Sequence, residues 1–325
     1  MKQTATTNQQ KSGSGTAPAV WAVTLGFNNA QDSVDCLKSL VANEGVDCSL
    51  LFADNASLDD SVARVLADVP AARVIQTGAN LGFSRGFNVG IDYCLAQGAD
   101  YVFMVNNDTV LAPDCLARLV EDAQAHPEAG IFAPKILYFD HPRTIWSAGS
   151  RFRPFPPAVV MRKTTGDDDG RFDRDPRLEY TTTCALLLSR AFLEQVGLMD
   201  RDYFILFDDY DWSVRARDQG WGIRLVPDAH LWHKVSKSTG VGTRSPFFWT
   251  NYGKSAALFF RKHARHRWLT GWPHLAYLLA RIVAERTHFG LVPFWKGWRE
   301  GRRAELHAPP RPGHGETDPF TEIRG

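Results

Sequence analysis

The sequence predicts an α/β protein: a mostly parallel central sheet flanked by helices, carrying a helical C-terminal extension. Three observations predict it. Between residues 20 and 120, short apolar runs alternate with amphipathic stretches, the pattern of successive strand–helix units. Two of those runs end abruptly in acidic residues, Asp54 and Asp108, and ligands of an open α/β sheet bind beyond the carboxyl ends of its strands. Residues 251–325 hold 13 Lys/Arg against 6 Asp/Glu in a chain whose formal net charge is +1, so a basic tail stands apart from a mildly acidic body. The division expected is a disordered leader over 1–18, an α/β domain over 19–250, and a basic, aromatic extension over 251–325.

The elements follow in order. Val20 to Leu25 reads as a first buried strand, and Asp32 to Val41 as a helix with Val34, Leu37, Leu40 and Val41 on one face. Ser49 to Ala53 is a second strand, ending in Asp54-Asn55-Ala56-Ser57. Ser57 with Asp60 has the spacing of a capping box and predicts a helix through Leu58, Val62, Val65 and Leu66. Arg73 to Ile75 is a short third strand. Ser84 to Gln97 reads as a helix with Phe87, Ile91, Cys94 and Leu95 inward and Gly98 past its end. Tyr101 to Val105 is bulky and apolar, suiting a strand buried on both faces. Ala112-Pro113 then opens a helix with proline in its first turn.

Asn106-Asn107-Asp108 closes the Tyr101 strand. A carboxylate flanked by amides can hold a divalent cation and touch a sugar hydroxyl. The same residues also cap backbone in an ordinary strand-to-helix turn. From Ile131 the pattern changes. Ile131 to Ala133 and Lys135 to Phe139 look like two strands, and Arg151 to Arg177 like a mobile polar excursion whose Asp167-Asp168-Asp169 run is solvated. Thr181 to Leu188 reads as a strand and Arg190 to Val196 as a short helix. Phe204 to Phe207 then breaks into Asp208, Asp209 and Asp211 at the start of a helix reaching Gln219. Its dipole favours ionised carboxylates there, and two adjacent acids exceed what a cap needs. Gly222 to Val226 and Ala229 to Trp232 look strand-like, followed by His233, which alone reads first as a packing residue.

Composition narrows the function. The five cysteines are scattered without a C-x-x-C pair, so they read as small core residues. Neither G-x-G-x-x-G nor a P-loop occurs, so phosphates would need a metal ion rather than a glycine-rich cradle. No apolar run reaches the roughly 18–20 residues of a membrane span. The tail pairs Arg261, Lys262, Arg265 and Arg267 with Trp268, Trp272, Trp295 and Trp298. That mixture suits an interfacial helix on a membrane surface; the alternatives are a helical hairpin covering the functional site or a dimer interface. No recognised nucleic-acid module appears.

Together, Asp54-Asn55-Ala56-Ser57, Asn80-Leu81-Gly82-Phe83-Ser84-Arg85-Gly86-Phe87-Asn88-Val89-Gly90, Asn106-Asn107-Asp108-Thr109, Phe207-Asp208-Asp209-Tyr210-Asp211 and Pro227 to His233 resemble the family-2 inverting glycosyltransferases, particularly the bacterial rhamnosyltransferase-like branch. The resemblance covers roughly Ala19 to Ser245. It implies a GT-A type, Rossmann-like fold and transfer of rhamnose or another hexose from a dTDP- or UDP-sugar to a cell-surface or lipid-linked glycan. It implies that Asp54 accepts the base N–H, that Asn80 and Arg85 sit near the nucleotide or diphosphate, and that Asn106 and Asn107 belong to the nucleotide-sugar contacts. Asp108 and His233 would ligate Mg²⁺ or Mn²⁺, Asp209 would be the catalytic base, and Asp208 would bind the acceptor or orient that base. The branch usually has Glu-Asp where this chain has Asp208-Asp209, and a glycine near Thr181 to Cys184. Such an enzyme works in the cytoplasm or at the inner face of the membrane. The rival readings are a sugar-phosphate nucleotidyltransferase, which wants a basic glycine-rich loop that Gly26 to Asn29 lacks, and a non-catalytic scaffold, which would not need Asp108, Asp209 and His233.

Overall fold

The strand β1 (Val20–Gly26) alternates its side chains between two cores. Trp21 and Val23 pack beneath one layer of helices, while Val20 and Ala22 pack beneath the other. The computed structural model describes residues 17–154, 157–163, 166–235, 245–266, 272–284 and 288–323. Most of the expected leader, and the expected Arg267 and Trp268 of the tail, lie outside those residues.

The chain then runs α1 (Ala30–Val41), β2 (Cys48–Asp54), α2 (Ser61–Asp68), β3 (Ala72–Gln76), α3 (Gly82–Ala96), β4 (Tyr101–Asn106), β5 (Thr109–Leu111) and α4 (Cys115–Ala125). Next come β6 (Ala129–Tyr138), β7 (Ile145–Ser147), the hairpin β8–β9 (Ser150–Pro154 and Pro157–Met161), β10 (Arg177–Leu178), β11 (Ala185–Ser189), α5 (Arg190–Val196), α6 (Asp208–Asp218) and β12 (Gly222–His233). The C-terminal region adds α7 (Pro246–Lys262), α8 (Trp272–Ala284), α9 (Leu291–Arg303) and β13 (Thr321–Ile323).

Among the described residues one sheet has the order β10-β12-β6-β11-β4-β1-β2-β3-β13, with β5 on β12 and β7 on β6. Strands β4, β1, β2 and β3 are parallel neighbours, as are β6 and β12; β11 lies antiparallel between the two sets. The C-terminal ends of β1, β2 and β4 therefore open on one side, and α3 is held close above them. A Cβ on Gly90 would collide with Cγ2 of the short, branched Val23 in β1, so glycine there lets the helix lie this close to the strand.

Several local expectations are corrected. The Ser57–Asp60 capping box does not form: Asp59 Oδ1 accepts from Ser61 N at 3.1 Å, and Ser57 Oγ accepts from Asn28 N at 2.8 Å. Helix α4 starts at Cys115, leaving Pro113 in the preceding turn. The two strands expected around Pro134 are one strand, β6. Pro134 lacks an amide proton, and β12 matches this with an irregularity that takes Pro227, Asp228 and Ala229 out of register between Val226 and His230. Thr181 to Cys184 precedes β11 rather than belonging to it. The polar excursion is also pinned: buried Lys135 donates to Asp168 at 2.5 Å and pairs with Asp173 at 2.7 Å, so Asp168 is an ion-pair partner rather than a solvated acid.

The C-terminal region is largely helical as far as Arg303. Trp249 of α7, Leu275 and Ile282 of α8, and Phe294 of α9 form a shared core. The chain then returns to the sheet, where β13 pairs antiparallel with β3 and covers that edge.

Candidate active site

Asp54, fully buried at the end of β2, organises two loops. Its oxygens accept from Ser57 N at 3.2 Å and from Gln76 Nε2 at 3.1 Å. Asn55 beside it accepts from Leu81 N at 3.0 Å and donates to Asn80 Oδ1 at 3.2 Å and Gly82 O at 3.1 Å. The predicted Asn80 is thus brought next to Asp54 through Asn55, a residue whose role was visible only as part of the same strand-end cluster. Arg85 points elsewhere. Its guanidinium is engaged by Asp318 in a cleft with Arg201 and His307, and no hydrogen bond among the described residues joins it to Asp54, Asn106 or Asp108.

The second cluster depends on pairing between distant strands. Residues Thr109–Leu111 of β5 lie antiparallel to Leu231–His233 of β12. This register brings Asp108 to His233, 125 residues later, with Oδ1 and Nε2 3.1 Å apart, and Lys234 N donates to Asp108 O at 2.8 Å. Both side chains are buried, and Trp146 packs edge-on against the imidazole with centroids 4.5 Å apart. Burial disfavours a charged ring, but Cys184 and Asp108 alongside raise His233 to about 10. The reading of His233 as a packing residue is therefore replaced by a buried polar one. Asn107 Nδ2 donates to Ser33 Oγ at 2.9 Å.

These residues fit a hard divalent cation. Among the described residues, the buried Asn106 Oδ1 and His233 Nδ1 have no hydrogen-bond partner, a costly condition that a further ligand relieves. One carboxylate and one imidazole leave most of a coordination shell to diphosphate oxygens and water, as Mg²⁺ or Mn²⁺ accepts. Among the described residues no group of three or more His, Cys, Asp or Glu forms a complete protein cage.

The third cluster is the start of α6. Leu206 and Phe207 both have positive φ, 67° and 65°, a conformation costing about 1–3 kcal/mol for such residues and found chiefly where surroundings enforce it. The surroundings here are specific. Phe83 N donates to Phe204 O at 2.7 Å, Ser255 Oγ of α7 donates to Ile205 O at 2.9 Å, and the Phe207 ring is packed by Tyr210, Tyr252 and Phe259. The turn delivers Asp208 and Asp209 side by side. Thr183 Oγ1 donates to Asp208 Oδ2 at 2.9 Å; Tyr180 Oη donates to Asp209 Oδ2, and Tyr210 N to its Oδ1 at 2.8 Å. Burial raises both acids above the ordinary carboxylate range, and the charge of Asp208 adds to the effect on Asp209. Asp211 behaves oppositely. Burial would raise it, but Arg215 and His263 outweigh that and hold it low.

One segment joins the second cluster to the third. Cys184 O accepts from Asn106 N at 2.8 Å, and Thr183 immediately before it reaches Asp208. Thr183 lies in the stretch where the sequence departs from the branch's usual glycine; Tyr180 carries no sequence signal, because a single tyrosine in a polar stretch gives no periodicity.

Residues 23–209, from β1 to the second carboxylate of α6, match Glycosyl transferase family 2. The chain belongs to that family. It is a glycosyltransferase of the GT-A type, and both the mostly parallel sheet and the family expected from the sequence are borne out. Its relatives include the N-acetylglucosaminyl-diphospho-decaprenol L-rhamnosyltransferase of Mycobacterium tuberculosis, 28% identical over 74% of this chain and 82% of that protein. The dTDP-rhamnosyl transferase RfbF of Shigella flexneri is 21% identical over 66% of this chain and 69% of its own length. In fold, the chain is similar to a mannosyltransferase from Pyrobaculum calidifontis in complex with GDP-Man and Mn²⁺, with a TM-score of 0.53 and 16% identity over 90% of this chain and 77% of that one. No helix among the described residues is long and apolar enough to cross a membrane.

Proposed function

We propose that this glycosyltransferase moves rhamnose, or a related hexose, from a dTDP- or UDP-sugar to a hydroxyl of a cell-surface or lipid-linked glycan, with inversion at the anomeric carbon. The observation that carries the reading is the single segment, Tyr180 to Cys184, that ties Asn106, two residues before Asp108, to the two acids of α6. Two named rhamnosyltransferases among the relatives support the choice of sugar and acceptor class.

Asp54 accepts the base N–H of the nucleotide, with Asn80 shaping the loop beside it. Asn106 and Asn107 flank the sugar nucleotide, and Asp108 with His233 holds Mg²⁺ or Mn²⁺. That cation, when bound, neutralises the departing diphosphate. Asp209 takes the proton of the acceptor hydroxyl as its oxygen bonds to the anomeric carbon, while the bond from that carbon to the diphosphate breaks on the opposite face. Asp208, beside it and held by Thr183, binds the acceptor. The position of Arg85 on Asp318 favours a role in holding the C-terminal segment rather than direct contact with diphosphate.

Within this reading residues 19–250 form the transferase domain and 251–325 an extension peripheral to the inner face of the membrane, in the cytoplasm where nucleotide sugars are made. The outer face of α9 supports that contact: Val292, 79% exposed, and Trp295 lie on the same side as Lys296, Arg299 and Arg303, an arrangement suited to an anionic lipid surface. The deciding assay is turnover of dTDP-rhamnose, UDP-glucose, UDP-galactose and GDP-mannose with and without Mn²⁺, in wild type, Asp108→Ala and Asp209→Asn. Metal-dependent use of one UDP or dTDP donor, lost in both variants, is expected; activity unchanged in Asp108→Ala would sink the metal assignment.

A further inference from the structure

We propose that Tyr180 is a positioning residue for the transfer reaction, its phenol fixing the Asp209 carboxylate in the orientation that faces the acceptor hydroxyl. The inference rests on Asp209 being the base.

Tyr180 is held from three sides. Its carbonyl accepts from Ser150 N at 2.9 Å, tying the backbone to the start of β8. Its ring is tilted against Tyr210, with centroids 4.7 Å apart, and against Phe152 at 6.3 Å. A ring buried in this way has little rotational freedom, so the direction of its hydroxyl is set by the fold. That hydroxyl donates to Asp209 Oδ2 while the backbone amide of Tyr210 donates to Oδ1. One donor on each oxygen fixes the carboxylate plane, leaving remaining lone pairs for a substrate proton.

The charges around the pair make the hydrogen bond consequential. On its own helix Asp209 faces Asp208, and two residues on, Asp211 is balanced by Arg215 and by His263, just past the end of α7. From the β8–β10 side come Tyr180 and, farther out, Glu179 paired with Arg217, whose guanidinium lies over the Phe152 ring. No cation in that set is directly paired with Asp209. Burial and Asp208 oppose its ionisation, whereas Tyr180 and the Tyr210 amide favour it. Tyr180 itself stays a phenol, since burial and the neighbouring Asp209 push its ionisation well above the ordinary range. It is therefore a fixed donor, suited to aiming the base and to offsetting part of the rise that burial and Asp208 impose on it.

A buried tyrosine bonded to a carboxylate could serve stability alone, and the test separates the two roles. Tyr180→Phe keeps the ring and removes the donor. If Tyr180 positions the base, kcat falls by about tenfold or more with the KM for donor unchanged, and the acidic limb of the pH–rate profile moves up by about one pH unit. Tyr203→Phe is the control. Tyr203 is also buried on this side of the protein, its hydroxyl has no hydrogen-bond partner among the described residues, and its loss should leave both quantities unchanged. A Tyr180→Phe enzyme that is less stable yet matches wild type in kcat and pH profile overturns the proposal. Asp209→Asn is run alongside: an active Asp209→Asn enzyme defeats the base assignment itself, whereas an inactive one beside a normal Tyr180→Phe defeats only the role of Tyr180.

Discussion

Thr183 donates to Asp208 across 2.9 Å, and the carbonyl of the next residue, Cys184, accepts from the amide of Asn106. Two adjacent residues thus hold a strand-end asparagine and a helix-start acid in one frame. Removing the hydroxyl in Thr183→Val leaves buried Asp208 without that donor, at a cost typical of an orphaned buried group. Acceptor use should weaken by about tenfold while donor binding is retained. Steady-state kinetics varied in acceptor, beside nucleotide titration by calorimetry, check this.

Asp209 gives a prediction with a sign. Its folded-state ionisation lies above that of an unfolded aspartate, about 4, because burial and Asp208 raise it. The folded state then keeps a proton that the unfolded chain releases. The stabilisation is complete below about 4 and is lost as pH rises through the raised value. Asp209→Asn should therefore melt higher than wild type near and above neutral pH and lose that advantage in acid. Its activity should drop by roughly 10²–10⁴-fold, as for removal of a general base. Melting curves across pH together with turnover measure both effects.

The Asp108–His233 pair predicts linkage between nucleotide and metal. UDP or dTDP with Mn²⁺ should raise the melting temperature of wild type; at a hundredfold excess over Kd the gain is about 2.7 kcal/mol. Nucleotide with chelator should do much less, and His233→Ala should erase the difference. Differential scanning fluorimetry is sufficient.

Lys135 makes a structural prediction. It is buried while Asp168 and Asp173 are only partly covered, so replacing it in Lys135→Met costs less than breaking a fully buried pair, about 1–3 kcal/mol. Urea denaturation should show that loss, and limited proteolysis should cut faster near residues 166–175.

The outer face of α9 predicts lipid binding that depends on both chemistries. Trp295→Glu, and separately Lys296→Glu with Arg299→Glu, should each reduce co-sedimentation with phosphatidylglycerol vesicles while turnover of a soluble acceptor is retained. Equal binding by wild type to neutral vesicles would argue against the charge contribution.

The parallel half of the fold was legible because β1, β2 and β4 are short, largely apolar runs, two of which stop at Asp54 and Asn106. The acids of α6 were legible because Asp208 and Asp209 follow an apolar run directly. Pro134 misled, since its partner irregularity lies some ninety residues away in β12. The meeting of Asp108 with His233 had no local signal either: it follows from β5 lying on β12, a long-range register that periodicity does not encode. Arg85 was drawn towards the nucleotide by its place in a glycine-rich stretch, whereas its actual partner, Asp318, is 233 residues later. Lys135 and Asp168 were separated by sequence distance in the same way.

The left-handed turn at Leu206 and Phe207 is braced from α7, where Ser255 donates to Ile205 O and Tyr252 and Phe259 pack the Phe207 ring. A bulky residue released from such a conformation relaxes without any loss of the central sheet. Warming that loosens α7 alone should then disarm the enzyme while its far-ultraviolet dichroism is still intact. The temperature at which it stops working would lie below the temperature at which it melts, and the interval between them would measure how firmly α7 grips the turn.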